Sequence, residues 1–136
     1  GGLSLLPYLL HLPKTDFALS DGQTLNTVFD APYIASILPP DASKSRIEND
    51  VQAFSEWRII NTPGHTKGSV CYYNQKQNKL ISGDTVFFHS WGRTDLYGGN
   101  EADMVHSLAR LREKVPGNTI VYPGHDYAGF PLSETL

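Results

Sequence analysis

One turn, used twice, most constrains what this chain can fold into. Pro-Gly-His occurs at Pro63-Gly64-His65 and again at Pro123-Gly124-His125, and each copy follows a β-rich run. Proline fixes φ and glycine opens conformations closed to other residues, so a histidine behind the pair sits on a short rigid loop with a set direction. Between the two copies, the run Leu80-Ile81-Ser82 passes through Gly83 into Asp84, a further strand end carrying a metal-capable side chain. Taken singly, each is an ordinary turn with a solvated polar residue. Together, two imidazoles and a carboxylate on rigid strand-end loops match the way metal ligands converge from distant positions, and His65, Asp84 and His125 are the candidate ligands.

The texture around these loops is that of a sheet. Short β-rich runs recur between Gly-rich turns at 57–61, 69–73, 79–82 and 119–122. One helix is predicted after Asn100, a good cap, with Glu101 and Asp103 in the first turn where the helix dipole favours negative charge. Met104, Val105, Leu108, Leu111 and Val115 follow helical spacing, and Lys114 with Pro116-Gly117 ends the element. Strand, strand, helix, strand predicts an α/β fold of helix layered on sheet, in one domain over residues 1–136. Upstream the sequence is less regular. The leucine-rich stretch 3–12, interrupted by Pro7, predicts a short buried helix. From 14 to 55 irregular chain is expected, with turns at Ser20-Asp21-Gly22 and Pro39-Pro40-Asp41 and strands at 27–29 and 33–37.

Charge and apolar content exclude several function classes. Eleven Lys and Arg against fourteen Asp and Glu, scattered along the chain, argue against nucleic acid as a partner. No apolar run approaches the roughly 20 residues that span a bilayer, so no membrane partner is expected. Cys71, the single cysteine, has no internal disulfide partner; that fits a reducing compartment, and a cytoplasmic location is expected. Its place in the β run Val70-Cys71-Tyr72 predicts a buried structural thiol. His106 falls on the exposed side of the helix pattern, His89 sits in a loop and His11 ends the leucine run, and none is nominated.

The segments TPGHTKGS, LISGDT, GRTDL and YPGHDY, in that order between about residues 57 and 127, resemble the later motifs of the metallo-β-lactamase superfamily. The likeness is strongest to its hydroxyacylglutathione hydrolase (glyoxalase II) branch. The resemblance implies a four-layer αββα sandwich, with His65 on one metal, Asp84 bridging both and His125 on the second. It implies two zinc ions, with iron or manganese as alternatives, that activate a water against a small thioester, possibly glutathione-derived. The ligands hold metal, and no side chain is nominated as itself catalytic. Arg93 and Tyr127 align with substrate-binding positions. Arg93 has the alternative of a local ion pair with Asp95, and Tyr127 that of core packing.

The superfamily's His-x-His-x-Asp-His run is absent from these 136 residues, and the chain opens on Gly-Gly without Met. A C-terminal portion of the domain is therefore expected, with weak metal binding, little activity of its own, and self-association through uncovered apolar sheet. Two other readings stand beside the hydrolase. His125-Asp126-Tyr127-Ala128-Gly129, with Ser133, also resembles the persulfide dioxygenase branch, which implies a single iron held by His65 and Asp84 but not His125. The third reading is a truncated, non-catalytic binding module.

Overall fold

The β-rich runs form the frame of the fold in the computed structural model, which describes residues 19–136. The leucine-rich stretch 3–12, with His11, lies outside the described residues. The strands are β1 (Arg58–Asn61), β2 (Val70–Asn74), β3 (Lys79–Gly83), β4 (Val86–Phe87), β5 (Ser90–Trp91), β6 (Ile120–Pro123) and β7 (Phe130–Pro131). Five make one mixed sheet in the order β1-β2-β3-β6-β7, while β4 and β5 pair as a small hairpin. β1 and β3 are each antiparallel to β2, and β3 is parallel to β6. β1, β3 and β6 therefore run the same way, and their C-terminal ends open on one rim.

Register decides which side chains share a face, because successive residues of a strand point to opposite sides. Ile60 pairs with Cys71, Tyr73 with Leu80, Leu80 with Val121 and Val121 with Phe130. This face carries the core, where Ile60, Cys71, Leu80, Val121 and Phe130 pack with Val86, Leu111, Val115 and Leu132. Each fully buried aliphatic side chain there is worth about 1.5–3 kcal/mol relative to exposure.

Leu111 belongs to the helix predicted from Asn100. Among the described helices, α1 is Ala31–Ile37, α2 is Lys44–Ser55 and α3 is Glu101–Lys114. In α3 the Asn100 side chain accepts from the Asp103 amide, Glu101 and Asp103 occupy the first turn, and Arg112 and Lys114 the last. The expected apolar stripe is corrected at one position. Val105 is 59% exposed and Ser107, a residue further round the helix, is buried instead.

The opposite face is unlike a solvent face. Tyr72, Ile81 and Tyr122 lie in one row across β2, β3 and β6, and Ile81 and Tyr122 are exposed. Sheets with parallel pairs are ordinarily covered on both sides.

The N-terminal third departs from the sequence reading. Where strands were expected at 27–29 and 33–37, the chain forms a 3-10 turn at Leu25–Thr27 and the helix α1. Asp30 caps α1 by accepting from the Tyr33 amide at 3.0 Å, and Pro32 sits in its first turn, so end signals override the β preference of Tyr33 and Ile34. α2, capped by Ser43, replaces the expected irregular chain; Ile47, Val51 and Phe54 follow helical spacing along it, although none of its residues is fully buried. α2 packs on the 3-10 turn and α1 on α2, with Phe29 and Phe54 in ring contact at 5.0 Å. The stretch before that turn lies along the outer edge of β1 through Gly22 N to Ile59 O and Ile59 N to Gln23 O, both 2.8 Å. That closes an edge otherwise open to pairing. No helix among the described residues is long and apolar enough to cross a membrane.

Candidate metal site

The three nominated ligands leave the sheet from its co-directional strands. β1 runs into Thr62-Pro63-Gly64-His65, β3 into Asp84, and β6 into Gly124-His125. The His65 loop lies along α3. Arg110 Nη1 donates to Asn61 O at 2.9 Å, Ser107 Oγ to Pro63 O at 2.6 Å and Asn100 N to Gly64 O at 2.8 Å. Gly64 has φ +147°, and a Cβ there would lie 2.6 Å from the Cα of Met104, so only glycine fits this close approach. Arg110 also reaches Asp21 at 2.8 Å, and Asp21 accepts from the Asn61 amide at 2.8 Å. Partial burial pushes the Asp21 carboxyl up, but its bonds to the Asn61 amide and the Arg110 guanidinium outweigh that and leave it below the usual value.

The Asp84 and His125 loops are joined to each other. Gly124 N donates to Gly83 O at 2.7 Å, and Gly83 takes φ +51° to turn the chain out of β3. Beneath them, buried polar atoms satisfy one another: the Thr62 and Thr85 hydroxyls lie 3.0 Å apart, and Ser82 Oγ donates to Val86 O at 2.8 Å. Cys71 sits in this cluster, 3.4 Å from the Thr62 hydroxyl. Burial pushes its thiol up to about 11, the state of an inert structural cysteine, as its β run predicted.

His65 and His125 approach different oxygens of one carboxylate. His65 Nε2 is 3.5 Å from Asp84 Oδ2, and His125 Nε2 is 3.1 Å from Asp84 Oδ1. The other nitrogen of His65 fixes its tautomer: Nδ1 lies 2.8 Å from Arg93 O, a carbonyl can only accept, and so Nδ1 carries the proton. In the neutral ring, Nε2 then turns its lone pair toward Asp84. Two acceptors facing each other are satisfied by a cation between them, so the donor set fits a metal ion. The arrangement is two pairs sharing a carboxylate; among the described residues no three such side chains form a cage around one point. Together they open on a cavity of about 540 Å³ lined by His65, Asp84, Phe87, Gly92, Arg93, His125 and Asp126.

Arg93 lines that cavity, and its guanidinium also makes the local ion pair weighed from sequence. Nε and Nη2 donate to the two oxygens of Asp95 at 2.7 and 2.8 Å. The Arg93 hydrogen bond holds the Asp95 carboxyl down at about 2. Tyr127 stands apart from the cavity lining. It is 61% exposed, which corrects the core-packing alternative, and its ring lies 5.1 Å from that of Phe88. Sequence reasoning missed Phe87 and Asp126; the adjacency of Asp126 to His125 was the available signal, whereas Phe87 depends on a two-residue strand too short to show a period. His89 stacks on Phe88 at 3.8 Å and pairs with Glu134 at 3.1 Å, outside the cavity lining, and His106 is exposed on α3.

A mixed sheet with two histidines and a shared aspartate on the loops of one rim defines a layered α/β protein with a metal-type site at its strand ends. The chain belongs to the metallo-β-lactamase superfamily, whose family model matches residues 4–125. It is 37% identical over 105 residues to the hydroxyacylglutathione hydrolase of Bartonella quintana (strain Toulouse), covering 70% of this chain and 40% of that protein. Among solved structures, TTHA1623 in a di-iron-bound form is 35% identical, covering 59% of this chain and 39% of its own, with a TM-score of 0.55. ETHE1 from Myxococcus xanthus is 34% identical, covering 57% and 35% respectively, with a TM-score of 0.52. The chain spans less than half the length of each of these relatives.

Proposed function

We propose that His65, Asp84 and His125 are metal ligands of a superfamily hydrolase of the hydroxyacylglutathione hydrolase-like branch, acting on a small thioester. The observation that carries this reading is the division of Asp84 between the two histidines, one per oxygen, which suits a carboxylate shared by two metals. Nitrogen and carboxylate donors suit zinc, iron and manganese alike, and the di-iron relative supports a two-metal centre. When bound, the metals would polarise the substrate carbonyl and lower the pKa of a water toward neutrality. The chain's own residues do the rest. The Arg93 carbonyl aims His65, Phe87 supplies an apolar wall, and the Arg93 guanidinium is suited to a substrate carboxylate once it leaves Asp95. Tyr127, exposed and outside the cavity lining, would contact only the outer part of a substrate.

Three ligands are fewer than a two-metal centre uses, so weak metal binding and little turnover are expected of these 136 residues. The single buried thiol fits the reducing conditions of the cytoplasm. The test is a Zn²⁺ titration of the chain and of His65→Ala, Asp84→Ala and His125→Ala. Each substitution is expected to weaken binding about tenfold or more; unchanged affinity in all three would sink the assignment.

A second reading rests on one observation. His125 is 69% exposed, against 22% for His65 and 35% for Asp84, as suits a one-iron, persulfide dioxygenase-like site that leaves His125 out. In that case His125→Ala keeps iron affinity, and the iron-loaded protein with its complete ligand set consumes oxygen in the presence of a persulfide.

A further inference from the structure

We propose that Ser107 and Arg110 are positioning residues for His65, and that α3 serves as a template for the loop that carries it. The inference rests on the assignment of His65 as a metal ligand. Its own basis is a row of contacts that the helix period produces.

Asn100, Met104, Ser107 and Arg110 recur at intervals of three and four, and so stack on one stripe of α3 and its cap. Each meets the loop in reverse order. Arg110 donates to Asn61 O, Ser107 to Pro63 O, the Met104 backbone backs onto Gly64, and the Asn100 amide donates to Gly64 O. The loop thus runs antiparallel to the helix, with the carbonyls of residues 61, 63 and 64 all engaged by it. Those 10 residues of helix rise roughly 15 Å, while three extended loop residues reach about 10 Å. The long Arg110 side chain spans the difference.

Local propensity does not explain Ser107. Serine is a poorer helix former than alanine, and this one is fully buried in the middle of a helix. Its hydroxyl donates to the carbonyl of Pro63, two residues before His65. Arg110 acts with Asp21 on the two peptides that flank Asn61: Arg110 donates to the Asn61 carbonyl, and Asp21 accepts from the Asn61 amide. His65 Nδ1 then meets Arg93 O at 2.8 Å, so the ring is held from a second loop and the backbone beneath it from α3. With both supports the direction of Nε2 toward Asp84 is fixed, and removal of either leaves the ring to swing with its loop.

The experiment compares the full 136-residue chain with Ser107→Ala, Ser107→Thr, Arg110→Met, His65→Ala and Ile34→Val. Ile34 is buried in α1, which packs on α2, and reports generic destabilisation. Zn²⁺ affinity is read by chelator competition, and exchange of the His65 Nδ1 proton by NMR of the metal-free protein. Ser107→Ala and Arg110→Met are expected to weaken Zn²⁺ about tenfold and to speed that exchange by a similar factor. Ser107→Thr restores both, and Ile34→Val moves neither. Unchanged affinity and exchange in Ser107→Ala, or equal changes in Ile34→Val, overturn the positioning role. If His65→Ala itself leaves Zn²⁺ affinity unchanged, the ligand assignment fails, while the metal-free exchange rate still decides whether Ser107 holds the ring.

Discussion

His65 and Arg93 are joined by a bond from an imidazole nitrogen to a main-chain oxygen, 2.8 Å from Nδ1 to O. The bond couples the His65 loop after β1 to the loop that carries the Arg93 guanidinium, so on the proposed assignment metal geometry and substrate recognition share one piece of backbone. Neither residue can shift without the other feeling it.

Gly92 is where that backbone has least room. A Cβ there would run into the carbonyl oxygen of Asp84 and come within 3.3 Å of the His65 Cβ, whereas one on Gly124 would meet Asp84 Oδ1 at 3.0 Å. Gly92→Ala is therefore expected to weaken Zn²⁺ binding by about tenfold or more, and Gly124→Ala by clearly less, because a carboxylate can rotate and a peptide cannot. Isothermal titration of the two variants gives the ranking, and an equal loss would contradict it.

The Arg93–Asp95 pair is exposed, so it should matter for recognition rather than for folding. Arg93→Ala and Asp95→Asn are expected to leave the urea midpoint almost unchanged. In a complete enzyme of this type carrying this loop, Arg93→Ala is expected to raise KM for a carboxylate-bearing thioester with little change in kcat. A large fall in kcat at constant KM would place Arg93 elsewhere in the reaction.

Burial raises the Cys71 thiol from 9.0 to about 11, which fixes the sign of an alkaline effect. The folded state keeps its proton longer than the unfolded state, so stability is unaffected below pH 9 and declines between pH 9 and 11 as only the unfolded thiol ionises. The loss at the upper end is on the order of 2 kcal/mol. Urea titrations across this range should show the decline in the native protein and a shallower one in Cys71→Ala.

Leu111 is fully buried beneath the sheet, while Val105 on the same helix is 59% exposed. Leu111→Ala is expected to cost about 2–5 kcal/mol by leaving a cavity, and Val105→Ala no more than about 0.5 kcal/mol. Chemical denaturation measures both, and similar costs would mean that the face of α3 has been misassigned.

Ile81 and Tyr122 leave an apolar row open across the middle of the sheet. Self-association is expected at high concentration, with Ile81→Lys shifting the particle toward monomer. Light scattering over a concentration series tests this; a monomer at every concentration would show that the row stays in water.

What could be read from sequence follows the range of the interactions involved. α3 was legible because Asn100, the acidic first turn and Leu111 all act within a few residues of one another. The His65, Asp84 and His125 loops were legible because Pro-Gly and Gly-Asp punctuate their strands. α1 was misread since the β preference of Tyr33 and Ile34 was weighed above the Asp30 cap and Pro32, and α2 was missed because its signals, the Ser43 cap and the spacing of Ile47, Val51 and Phe54, lack the acidic first turn and basic last turn that mark α3. The exchange of Val105 for Ser107 could not be seen at all, since it depends on a carbonyl at Pro63, 44 residues away. Of the cavity, Phe87 was missed for the same reason, since only the folded sheet brings it to the site, whereas Asp126 was signalled by its place next to His125.

The common direction of β1, β3 and β6 has a consequence for how such a site can change over time. Lateral spacing between the ends of these strands is set by interstrand hydrogen bonding, at about 4.8 Å per strand. The turn between β2 and β3, which touches none of the loops that carry His65, Asp84 and His125, is thus free to lengthen, shorten or take up new sequence while the distance between His65 and Asp84 stays put; the segment carrying Arg93 and α3 is not, because it holds the His65 loop. The sheet works like a ruled page, on which the lines hold their interval whatever is written in the margins.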